Sequence, residues 1–261
     1  MGGERACQEH GERSLRRAIA LRVAAVLARS VGDLDRARIY AEESLGLRRE
    51  LGDPGVAHGL SALASISADR GDFLEAQRLY EEAAALGRGG DTQTRAMLSG
   101  SLADLAMRQG DYERALTLGE ESLTLFRELG RDDGASWALF TVALCLFRTN
   151  REAEAVGLAR ESLELAHAAV EVETIVWVLL LLGAMATRRR EANSAARLVG
   201  AAEALRARSE LMLTGAEAQL YETAIEELHR SLSPRTFEAA FAEGQMMSLD
   251  DAVEYALSSI D

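Results

Sequence analysis

The chain has 261 residues, a formal net charge of −13, only two prolines and few aromatic side chains. A phosphate backbone is gripped by clustered positive charge, so this balance excludes a general nucleic-acid surface. Long runs of Ala, Leu, Glu and Arg with almost no proline point to an all-α protein, long enough for one or two compact domains or one elongated array.

In chain order, residues 1–17 are too charged for a secretory leader and read as a lead-in helix or a flexible segment. Five repeats follow over residues 18–208. The phrases "SVGDLDRAR", "DRGDFLEAQ" and "RQGDYERAL" open a series in which Ala37, Ala76, Ala115, Ala155 and Ala195 recur at steps of 39, 39, 40 and 40. Such constancy is the mark of a repeat architecture. Seven residues after each anchor stand Ser44, Ala83, Ser122, Ser162 and Ala202, and ten after stand Leu47, Leu86, Leu125, Leu165 and Leu205. Before each turn come Ala25, Ala64, Ala103, Ala143 and Gly183.

Small residues seven apart share one helix face, where two helices come close, and the leucines are expected to fill the neighbouring groove. Gly32, Gly71 and Gly110 suit the left-handed residue that ends a helix. Asp33, Asp72 and Asp111 then suit the N-cap of the next. In the last two copies Asn150-Arg151 and Arg190-Glu191 replace the pair, and Asn150 can still adopt the left-handed conformation. The phrase is therefore a joint between antiparallel helices. It lacks the lysine of a phosphate loop and the alternating acidic ligands of a calcium loop. "GRGG" at 87–90 reads as a loop between repeats.

Leu63, Ala64, Gly71, Ala76, Tyr80 and Ala83 fall at the spacing of the tetratricopeptide signature, as do Leu102, Ala103, Gly110, Ala115 and Ser122. The chain resembles a tetratricopeptide repeat protein from about residue 18 to 208, with a longer period than the usual ~34. Its long period resembles the arrays of LuxR-type activators and related signal-transduction ATPases of bacteria. The segment from "AARLVGAAEALRAR" to "DAVEYAL" is similar to the one that closes those arrays. The resemblance implies a right-handed superhelix of five helical hairpins with a C-terminal helical cap, residues 209–261. The cap reads as three helices: Ala216 to Ser231, one starting at Ser233-Pro234, and one starting near Ser248 with Asp251 in a capping arrangement.

In such arrays the first helix of each repeat lines the concave groove. Projecting the repeat places Met97, Gly100, Asp104 and Met107 there in the third repeat, Trp137, Phe140, Leu144 and Phe147 in the fourth, and Trp177, Leu180 and Ala184 in the fifth. The clustered aromatics would exceed the apolar patch a monomer normally leaves bare, so something is expected to cover them: the chain's own C-terminal helices, a second copy, or a partner. Arg108, Arg148 and Arg188 recur just before each turn, positioned to clamp a carboxylate or to complement the helix ends.

No catalytic site is expected. His10, His58, His167 and His229 lack ligand spacing, so neither a metal nor another cofactor is implied. Cys7 and Cys145 form no C-x-x-C pair, and Cys145 in "VALCLF" reads as a core residue, which suits a reducing cytoplasm. The longest apolar run, Ile175 to Ala186, is short of a membrane span. The resulting expectation is a non-enzymatic regulatory module that binds a protein, a peptide or a small apolar effector, as the sensor or scaffold part of a bacterial transcription regulator. The alternative is a homodimerisation element whose apolar concave face is the seam.

Overall fold

The computed structural model describes residues 2–87, 91–213 and 215–259, and every regular element among them is an α-helix. The chain divides into two compact units, Met1–Leu105 and Ala106–Asp261. The first contains α1 (Gly2–Ser30), α2 (Leu34–Glu50), α3 (Val56–Asp69) and α4 (Phe73–Gly87). The boundary cuts α5 (Thr92–Arg108). The second unit holds α6 (Tyr112–Glu128), α7 (Asp132–Arg148), α8 (Glu152–Ala168), α9 (Val172–Arg188) and α10 (Ala192–Arg208), then α11 (Gly215–Ser231), α12 (Pro234–Gln245) and α13 (Leu249–Ser259). Residues 2–17, expected as a lead-in, continue into the first hairpin as one helix. Residues 88–90 of "GRGG" and the side chains of Cys7 and His10 lie outside the described residues.

The joints behave as their residues dictate. Gly32, Gly71 and Gly110 take φ of +79°, +82° and +78°. At the first joint Asp33 N donates to Ala28 O at 2.9 Å and Gly32 N to Arg29 O at 3.0 Å, the paired bonds of a Schellman stop. The aspartate that follows then caps the next helix: Asp33, Asp72 and Asp111 accept from Arg36 N, Glu75 N and Arg114 N at 3.1, 3.1 and 3.2 Å. Asn150 and Arg190 adopt the same conformation at +62° and +63°, and the Arg151 and Glu191 side chains that follow do not cap.

Between repeats, Val170 holds φ +57° with its side chain 69% exposed. A β-branched residue in that region is strained by roughly 1–3 kcal/mol and gains no packing in return. Val170→Gly is therefore expected to raise stability by about 1 kcal/mol, measured by urea denaturation. A loss of stability would show that the valine packs in solution.

Helix contact depends on the undersized positions. Ala37, Ala76, Ala115, Ala155 and Ala195 are fully buried, and so are Ser44, Ala83, Ser122, Ser162 and Ala202. Ser44 Oγ donates to Ala18 O and Ser162 Oγ to Ser136 O, both at 2.7 Å, so the buried hydroxyls are satisfied across equivalent crossings. The leucine series is less uniform: Leu125 and Leu205 are buried, whereas Leu86 is 54% exposed one residue before α4 ends. Successive repeats are also laced by ion pairs, such as Arg38 bidentate to Glu75 at 2.8 and 2.9 Å. Arg38 and a hydrogen bond from Ser67 hold the Glu75 carboxyl below its ordinary range.

The cap forms as its start signals indicate. Ser233 Oγ accepts from Thr236 N at 3.2 Å with Pro234 in the first turn. Ser248 and Asp251 bond reciprocally, Asp251 N to Ser248 Oγ at 3.1 Å and Ser248 N to Asp251 Oδ2 at 3.2 Å. Helix α12 packs along α10, α13 touches α8, α9 and α10, and α11 lies on α9 and α10.

Candidate functional site: a filled groove with a tryptophan ledge

The face of α7 and α9 projected to line the concave groove is largely closed. Phe140, Leu144, Phe147, Leu180 and Met107 are buried at 1, 0, 4, 1 and 5% exposure. They belong to one hydrophobic core that also takes in Leu220, Ala224 and Leu228 of α11. Those three stand at i, i+4 and i+8, one stripe of α11, the helix that lies on α9 and α10. Phe147 and Ala184 meet Leu220 and Ala224 around a cavity of about 90 Å³ that Arg148 and Glu227 also line. The C-terminal segment therefore covers the end of this face at Phe147 and Ala184. Of the covers expected for these side chains, the chain's own C-terminal helices are the ones found at Phe147 and Ala184.

The arginine series serves this closure. Arg188 lies with its guanidinium 3.7 Å from the Phe147 ring centroid, and its Nη1 donates to Phe147 O at 2.9 Å. A cation on an aromatic face and on an end carbonyl of α7 complements both the ring quadrupole and the helix dipole. Arg148 is half-buried on the cavity wall. Arg108 sits against Gly215 at the start of α11, where a β-carbon would come 2.7 Å from Arg108 Cζ. Each arginine thus stands at a helix end or beside α11. Burial and the nearby Glu203 carboxylate of α10 push the Tyr221 phenol up.

Two members of the expected groove stay partly open. Trp137 and Trp177, at equivalent positions of α7 and α9, are half-buried. Trp177 packs on Phe140 with ring centroids 5.6 Å apart and planes tilted by 33°. Each stands five residues into its helix, away from the C-terminal ends that meet α11, and each keeps a solvent side; Trp177 also packs against the core. Met97 is 39% exposed and belongs to the first unit.

Among the described residues no three His, Cys, Asp or Glu side chains come together as a metal group, and no helix is long and apolar enough to cross a membrane. His167 Nε2 lies 2.7 Å from Asp250 Oδ1 in an exposed pair that ties α8 to α13. Cys145 is a buried free thiol. The α11 stripe was overlooked in the sequence although its 3.6-residue spacing is readable in "GAEAQLYETAIEELH".

Residues 93–168 match the family model described as Tetratricopeptide repeat. Among solved structures, a variant of the nearly identical TPR-like repeats of a Podosopora anserina kinesin-light-chain candidate aligns with TM-score 0.55 and 16% identity over 75% of this chain and 97% of that one. BtubC (BKLC) of P. vanneervenii aligns with TM-score 0.53 and 19% identity over 94% of this chain and 91% of that one. No curated protein matches the sequence. At such identities the likeness carries the fold, which is all-α and tetratricopeptide-like.

Proposed function

We propose that the chain is a non-enzymatic protein-binding scaffold whose recognition element is the ledge of Trp137 and Trp177. One observation carries the reading: these two rings keep a solvent side while their neighbours Phe140, Leu144 and Leu180 are buried. Half-open tryptophans have the character of interface anchors, which concentrate binding energy in few residues, and Trp177 rests on the rigid Phe140 ring. The occupant that suits such a ledge is a peptide segment offering apolar side chains. Beside α11 a small apolar effector would find a cavity of about 90 Å³, and the larger one of about 650 Å³ lies in the first unit, lined by Pro54, Val56, Leu86 and Thr94. Tetratricopeptide-like repeats support a protein partner in general terms. The finer assignment, to the sensor or scaffold part of a cytoplasmic bacterial transcription regulator, is supported by the sequence resemblance of the C-terminal segment. The alternative of a dimer seam on this same face loses support, because the apolar side chains it needs are consumed inside the chain.

The chain contains just two tryptophans, so its intrinsic fluorescence reports the ledge alone. Peptides selected on the full chain from a displayed library are expected to shift that emission to the blue. Trp137→Ala and Trp177→Ala are each expected to weaken them by roughly 2 kcal/mol, with the circular dichroism unchanged. Binders that keep their affinity in the double variant take the ledge out of the function.

A further inference from the structure

The cavity of about 650 Å³ in the first unit lies between the turn before α3 and the start of α5. The repeat explains why it is open. At the corresponding place in the third repeat, Phe126 of α6 fills the space under the start of α7: a β-carbon on Gly134 would come 2.2 Å from its ring. In the first repeat Arg48 of α2 does the same, 1.9 Å from a β-carbon on Gly55. Both plugs are buried, at 3 and 8% exposure. Thirty-nine residues on from Arg48, and thirty-nine before Phe126, stands Gly87, which has no side chain to offer. Thr94 replaces the facing glycine and recovers only part of that volume. The fourth repeat shares the small pair, Ala166 with Thr174, but its leucine, Leu165, is half-buried. Of the five recurrent leucines Leu86 alone is exposed, and it lines the cavity.

The lining carries its own chemistry. Pro54, Val56 and Leu86 supply apolar surface, and two carboxylates stand among them in different states. Asp53 is spent: its Oδ1 accepts from Arg48 Nη1 and from Gly55 N, so a buried guanidinium neutralises it. Asp91 Oδ1 accepts from Thr94 N at 2.7 Å, and bonds from the Thr94 backbone and hydroxyl hold this carboxyl below its ordinary range. Asp91 is exposed and enters no ion pair among the described residues. An anion entering the cavity meets that charge on a chain whose net charge is already −13, whereas a cation is drawn to it.

We propose that this cavity is a binding site for a small molecule with an apolar body and one amino group. The body lies against Pro54, Val56 and Leu86, and the ammonium sits on the Asp91 carboxylate. The volume falls within the roughly 300–1,000 Å³ typical of ligand pockets. All of these residues belong to the first unit, so the site does not rest on the tryptophans of the second.

The test titrates the full chain with two fluorescent probes that share an apolar body: dansylcadaverine, which carries an amine, and dansyl-6-aminohexanoate, which carries a carboxylate. Dansylcadaverine emission is expected to rise, shift to the blue and saturate, with the carboxylate probe about fivefold weaker. Asp91→Asn keeps an acceptor for the Thr94 N bond that starts α5, and is expected to erase that preference. Leu86→Ser is expected to weaken dansylcadaverine about tenfold, with thermal melting unchanged because the leucine is exposed. The Trp137→Ala/Trp177→Ala double variant is expected to bind both probes as the parent does. Failure of dansylcadaverine to bind overturns the inference, and so does equal affinity for the two probes. Binding that ignores Leu86→Ser or Asp91→Asn overturns it as well. If such binding disappears instead in the double tryptophan variant, the probe sits on the ledge, and the ledge stands while the cavity falls.

Discussion

Gly244→Ala is expected to lower the stability of the second unit by about 3 kcal/mol, or roughly 6–12 °C in melting temperature. Helices α10 and α12 cross with glycine on both sides. A β-carbon on Gly244 would lie 2.0 Å from Arg197 O and 2.9 Å from Ala201 N, and one on Gly200 would lie 2.2 Å from Phe241 O. These neighbours are backbone atoms and cannot rotate away. The two helix axes must separate, and the whole length of the crossing loosens with them, because packed interiors forfeit dispersion contact over small gaps. The aromatic run His229, Phe237 and Phe241, with centroids 4.3 and 5.2 Å apart, loosens with it. Gly157→Ala supplies the control. It is a glycine inside α8 with nothing within 4 Å of an added β-carbon, so relief of the glycine entropy cost should leave it neutral or more stable by up to ~1 kcal/mol. Parallel thermal melts by circular dichroism decide the matter. Equal melting of the two variants would mean that the crossing is wider in solution.

The fold was legible because its instructions are local and repeated. Gly32 followed by Asp33 specifies a stop and a start within two residues, and the alanine and serine positions name the faces that touch. Nothing distant is needed for either. The groove was less legible because its state depends on a segment far along the chain. The period puts Phe140, Leu144, Phe147 and Leu180 on one face of α7 and α9, but it cannot tell whether Leu220, Ala224 and Leu228 return to fill that face. The stripe on α11 shows that the helix is amphipathic without naming its target. The arginines show the same limit. Arg108, Arg148 and Arg188 are equivalent in sequence, yet one meets Gly215, one lines a cavity and one lies on the Phe147 ring, because α11 crosses them at different points. An exposed apolar stripe on α1 was overlooked for the opposite reason. Ile19, Val23 and Leu27 look like core residues of a repeat, and only their exposure in the fold shows that no described helix covers them.

Phe140→Ala and Trp137→Ala, one step apart on the same helix face, are expected to part company. Phe140 is 1% exposed and supports the Trp177 ring, so its truncation opens a cavity between α7 and α9 and is predicted to destabilise the second unit by about 3–5 kcal/mol. Trp137 is half-buried and outside that core cluster, so its truncation is predicted to cost only about 1 kcal/mol while removing an anchor for the partner. Denaturant unfolding followed by circular dichroism, alongside peptide affinity at a temperature where both variants are folded, separates stability from recognition. The open-groove reading makes the reverse assignment, because there Phe140 is a contact residue whose loss weakens binding and leaves the fold intact. A Phe140→Ala variant with unchanged unfolding midpoint and lost affinity would restore that groove. A variant that unfolds early, yet binds normally wherever it is folded, leaves the aromatic floor to the core and recognition to the two tryptophans above it.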